Sequence, residues 1–382
     1  MKKLFKFLTL LGVLFTLLWA APLPAAAQTP EQGEEQQYGE LAEQSGLLNL
    51  GQELPQEVLQ ALQELEVDLK DPQSLFRVDF GKVGQLVLLA LQSGLTQPLR
   101  ATAVTVALFI VTAAANGLFL EGQGRSPAIF LLFAATVLAF RPLFGLVQTC
   151  GGAIRAVAAF GLAVVPVLCT LLIALGKTAT ASAAAGLLTA ACEGVSQAVA
   201  YLFVPLTGGC LCLSVCSAVT PIAGLQKLVG TVRSVCVKGM GLLLALFETV
   251  LSLQTVVTAQ GESLGVKAAQ MLAGSSLPVL GGAVSGALST AAGFISIMGS
   301  SAGVYVLLVL LLLLLPTVAQ LLCWRLGLWL CGLTAGLLGQ DAITPLFTML
   351  DYCLSVMLGA LLLVGLLVFL SVGVVLKTGV AA

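Results

Sequence analysis

The sequence contains no histidine, and only 9% of its 382 residues are Asp, Glu, Lys or Arg. Without histidine the commonest general base and metal ligand are missing, so Ser-His-Asp, Cys-His and HExxH chemistry are excluded. A water-soluble domain carries about 25% charged residues, so this chain lacks the polar groups to cover its own surface. Aromatics are sparse at 6%. There is no GxxxxGK[ST] loop to cradle nucleotide phosphates and no basic surface to hold nucleic acid. These patterns call for no cofactor and no enzymatic activity.

Apolar residues make up 58% of the chain, with a mean hydropathy of +1.05. A run of about 20 such residues crosses the roughly 30 Å hydrocarbon core, which predicts an all-α polytopic membrane protein. Spans are expected at 101–120, 127–147, 153–175, 197–219, 236–258, 302–322 and 352–376. That makes seven, with six to nine compatible with the pattern. The run 326–339 is too short to cross alone and reads as a half-helix or part of a hairpin, with Trp324 and Trp329 beside Arg325 as interface anchors.

The net charge of -1 hides a division. Residues 1–27 carry Lys2, Lys3 and Lys6 and no acid, residues 28–100 carry twelve acids against four bases, and residues 101–382 carry ten bases against six acids. Such asymmetry predicts an acidic exported module, 28–100, joined to a membrane body, 101–382. The start, with its lysines, the apolar run Phe7 to Ala20 and Ala25-Ala26-Ala27 before Gln28, has the order of a secretory signal peptide. An uncleaved anchor helix is the alternative.

Residues 28–50 are rich in Gln, Glu and Gly and suit a flexible arm. Val58, Leu62, Leu65 and Leu69 recur at helical spacing after Pro55, predicting a short acidic amphipathic helix. Leu75 to Leu99 reads as an interfacial helix limited by Lys82 and Pro98. All ten cysteines lie in the membrane body and read as small packing residues, with Cys210-x-Cys212-xxx-Cys216 as a soft-metal alternative.

Within the body, Gly281, Ser285, Ser289 and Gly293 form a stripe at i+4 spacing, and Gly332-xxx-Gly336 forms a second small-residue face. Such faces let helix backbones approach closely in lipid. Pro278 and the flanking glycines also leave open a re-entrant segment lining a pore or substrate path. Arg141, Lys238 and Glu248 fall inside expected spans, where charges need partners or water. Glu248 is the most central acid and the candidate for a proton or ion relay, against a plain polar contact between helices. Asp341 and Asp351 lack a surrounding GxGD motif and suit helix termini. With the amino terminus outside, seven alternating spans place Arg125, Lys177, Lys267 and Lys377 inside and Arg100, Arg155, Lys227, Arg233 and Arg325 outside, so the positive-inside rule does not settle the topology.

The order of these features resembles the stage III sporulation protein AE family of endospore-forming bacteria. The phrases that carry the resemblance are Ser252-Leu253-Gln254 through Gln260-Gly261, Leu277-Pro278-Val279-Leu280-Gly281-Gly282, Ala342-Ile343-Thr344, and Leu350-Asp351 before the last apolar run. It covers roughly residues 80–382, while the acidic 28–75 segment departs from the family's aromatic-rich exported stretch. The resemblance implies a multi-pass protein of the mother-cell membrane surrounding the forespore. Its implied partners are the other membrane products of the stage III sporulation A operon and a forespore membrane protein, in a channel or feeding-tube assembly. The family supplies no catalytic residues. The rival expectation is a stand-alone secondary transporter with a midplane site near Glu248 and residues 278–298.

Overall fold

The structure, a computed structural model, describes residues 55–65, 80–118, 126–174, 178–219, 223–258, 301–338 and 344–380. Among these, every element is helical: α1 (Gln56–Glu64), α2 (Phe80–Leu118), α3 (Ser126–Ala174), α4 (Thr178–Ala198), a π turn (Val199–Phe203), α5 (Val204–Val219), α6 (Ala223–Thr258), α7 (Ser301–Leu337) and α8 (Thr344–Val380). α1 opens at Pro55, whose carbonyl accepts from the Val58 and Leu59 amides, and buries Val58, Leu62 and Leu65. These three form its inner face, the fourth residue of the expected stripe, Leu69, lying outside the described residues, and α1 packs on α7.

Six helical stretches among the described residues are long and apolar enough to cross a membrane: Gly94–Val111, Pro142–Cys169, Leu188–Cys216, Lys227–Ser252, Tyr305–Leu337 and Thr344–Val375. Six lies within the expected range, yet the division differs. The expected spans 127–147 and 153–175 belong to one helix of 49 residues, about 74 Å if straight. Gly151 lies inside it, with Val204 of α5 3.3 Å from the position a methyl group would take. The stretch 326–339 is not a separate half-helix, since α7 runs unbroken through Leu337. Pro98 likewise does not end a preceding interfacial helix but lies inside α2. Proline is tolerated in such helices where neighbours compensate, and the Gly94 backbone, whose carbonyl Pro98 cannot bond, packs against Gln320 of α7.

Paired contacts fix the helix directions. Leu314 meets Gly365, Arg325 meets Asp351 and Gly332 meets Phe347, so α7 and α8 are antiparallel. Arg233 meets Tyr352 and Met240 meets Gly359, so α6 runs parallel to α8. Cys192 meets Ser371, and Cys210 shares a crevice with Cys353, so the α4–α5 rod is antiparallel to α8. Gly94 meets Gln320 and Gly327 meets Thr102, making α2 parallel to α7. Gly151 meets Val204 and Gly161 meets Val368, which makes α3 parallel to α8. The long helices therefore alternate up and down, and Thr258 and Ser301 lie at the same end as the start of α2 and the end of α8. α8 is the central helix: 72% of its apolar stretch is buried, against 17% for that of α2.

Candidate functional site

The polar groups of the bundle gather where helices cross. The Arg325 Nε donates to Asp351 Oδ1 at 2.8 Å, with both side chains about three-quarters buried (26% and 23% exposed). Asp351 thus sits in the second turn of α8 as a partner across the α7–α8 hairpin, not at a loop terminus. Beside it, the guanidinium of Arg233 lies 4.4 Å from the centroid of the Tyr352 ring, a cation–π contact that ties α6 to α8. Next to Arg233, a crevice between Thr207, Cys210, Cys236 and Cys353 holds about 10 Å³, room for about one water molecule. It admits no organic substrate.

Several buried hydroxyls bond along their own helices, whereas Tyr305 Oη and Thr344 Oγ1 are buried without a partner among the described residues. Thr207 donates to the Phe203 carbonyl, Ser214 to that of Cys210, and Ser371 to that of Leu367. Because Ser371 spends its proton on Leu367, the Cys192 thiol is the donor in the 3.0 Å contact to Ser371 Oγ. Pro205 cannot donate an amide proton, and the chain passes it with the π turn, whose closing bond runs from the Val204 amide to the Val199 carbonyl. All ten cysteines are free, seven of them buried. Cys210 is buried while Cys212 and Cys216 are exposed, so the CxCxxxC run does not converge. Among the described residues no three potential ligands stand together as a metal site.

Glu248 lies on α6 with its Oε1 buried and without a hydrogen-bond partner among the described residues. Gly332 faces the Cβ of Phe347, 3.7 Å from the position of an added methyl group, whereas Gly336 meets nothing within 4 Å. Gly332 is therefore at the α7–α8 contact and Gly336 is not against a neighbour. Gly281, Ser285, Ser289 and Gly293 lie outside the described residues, as do 278–298 as a whole. Trp324, expected as an interface anchor, is instead buried at 3% exposure, because it falls on the inner face of α7. Among the described glycines, those with least room for a side chain are ones that periodicity did not single out: Gly161 against Val368, Gly365 against Leu314, and Gly327 against Thr102.

Six apolar helices among the described residues, joined by glycine contacts and an interhelical ion pair, define a polytopic integral membrane protein. The family model described as stage III sporulation protein AE matches residues 88–379. The chain belongs to that family. No curated protein and no solved structure matches it. The match begins within α2, so α1 and the acidic stretch before it lie outside.

Proposed function

We propose that the protein is a non-enzymatic membrane subunit of the channel that joins mother cell and forespore late in sporulation. It would reside in the mother-cell membrane around the forespore and work with the other membrane proteins of its operon and a forespore membrane partner. The observation that carries this reading is the family match over 88–379. In support, the crevice beside Arg233 holds about a single water, and the Arg325–Asp351 and Arg233–Tyr352 contacts link helix to helix. Those are properties of a platform. Deleting the gene should leave growth and engulfment intact, then abolish late forespore transcription, with rescue when the gene is expressed in the mother cell alone. Normal spore yield, or rescue only from the forespore, would refute the proposal.

A second reading, proton- or ion-coupled transport, is favoured by one observation: the unpartnered Oε1 of Glu248 in an apolar helix. Glu248→Gln separates the two. A platform retains spore yield within about twofold, whereas a transporter that titrates this carboxylate loses activity at normal protein level.

A further inference from the structure

The helix directions place the charges of the described helices at two ends of one bundle. At the level of Tyr352 stand Arg233, over its ring, and Arg325, paired with the neighbouring Asp351. Arg100 stands level with Arg325, because Thr102 packs on Gly327 in the parallel α2–α7 pair. Lys227 lies nearer the same end on α6, and Arg141 lies near the same end on α3. Lys238 is about one turn further in, on a helix whose side chains lean toward its amino terminus, and therefore toward this end. Arg155 is deeper, and its Nε reaches back toward the same end to bond the Gly151 carbonyl at 3.1 Å. At the opposite end, Lys82 and Lys377 are matched by Glu193 and Glu248. Between the two levels, α8 from Tyr352 to Leu376 carries no charge at all. Among the described residues, this end of the bundle thus bears six cations, with Arg155 deeper, against the single acid Asp351, and four of the six, Arg100, Lys227, Arg233 and Lys238, are exposed.

We propose that this cationic belt is the surface that meets the anionic headgroups of the cytoplasmic leaflet, and that it fixes the orientation of the bundle. Anionic lipid attracts each basic side chain at the cytoplasmic surface, and basic residues resist export. The belt end, with the α2–α3, α5–α6 and α7–α8 connections, faces the cytoplasm. The other end, where α2 starts, Thr258 and Ser301 lie and α8 stops, faces the exported side. This orientation comes from the charges of the helices alone, without the signal-like segment, and it resolves the ambiguity that seven alternating spans leave.

The test is thiol labelling of the full-length protein in vegetative cells, where it sits in the plasma membrane. The native exposed cysteines, Cys212 and Cys216, lie toward the belt end. They should resist a membrane-impermeant maleimide on intact protoplasts and react after lysis, while an added Ser301→Cys thiol should react before lysis. Alkaline phosphatase fused after Val380 should be active, which decides the orientation even if Ser301→Cys is shielded from reagent. Neutralising three exposed belt cations with Arg100→Gln, Lys227→Gln and Lys238→Gln should lower the phosphatase activity per molecule at least threefold as the orientation becomes mixed. Native thiols that react from outside, an inactive fusion, or a neutralised belt that keeps full activity would each overturn the proposal.

Discussion

Gly161 and Gly365 are positions where a methyl group has no room. An added Cβ would come within 2.5 Å of Val368 Cγ2 at the first and of Leu314 Cδ1 at the second. Val368 is buried and β-branched and Leu314 packs against the core, so the added methyl group must displace a neighbour. Gly161→Val or Gly365→Val should destabilise the protein by about 1–3 kcal/mol, read as a lowered unfolding temperature in detergent and a lowered membrane level. Gly336→Ala is the control. Nothing lies within 4 Å of its added methyl group, and alanine suits a helix better by up to about 1 kcal/mol, so stability should hold or rise. The ion pair makes a different residue-scale prediction. Arg325→Met or Asp351→Leu alone strands one charge in a partly buried place, costing about 1–3 kcal/mol. The double variant should recover most of that loss, since removing both partners of a shielded pair is often neutral. A double variant no better than the sum of the singles would mean that the two charges act independently.

At the scale of elements, the register is what the contacts establish. Ser371→Cys places a second sulfur opposite Cys192, where the native Sγ–Oγ separation is 3.0 Å. Mild oxidation should then join α4 to α8 through a disulfide detectable by peptide mass spectrometry, with the wild type unlinked. Failure of that bond to form in well-folded protein would contradict the antiparallel packing of these two helices. Much of this level was legible in the sequence: helical class, apolar stretches and the α1 stripe all follow from composition and period. The helix ends were not. Pro98 read as a limit of an interfacial helix, but it sits inside α2. The pairing of Arg325 with Asp351 was hidden for another reason: their separation by 26 positions becomes a contact only once α7 is known to continue through Leu337. Among the candidate residues, Gly332 does face a neighbouring helix, whereas Gly336, one turn on, shows that i+4 spacing alone does not tell which glycine is approached. The glycines that matter most to packing stand singly in apolar runs, where periodicity carries no signal.

For the whole molecule, the alternation of helices makes the chain divisible. Thr258 and Ser301 end at one face of the bundle, so no described helix is severed by parting the protein between them. The two pieces keep every contact that joins them: Gly94 to Gln320, Gly161 to Val368, Cys192 to Ser371, and Arg233 to Tyr352. Helices that insert separately can associate afterwards through packing and interhelical bonds. Fragments 1–280 and 281–382, the second led by Met1 to Ala27, should therefore complement each other. Coexpressed, they should copurify through a tag on one and restore at least about a tenth of the spore yield, whereas a cut at Gly151, inside α3, should restore none. Such complementation would let the α7–α8 hairpin be exchanged as a cassette, turning a bundle built as one chain into a two-part receptor for its own central helix.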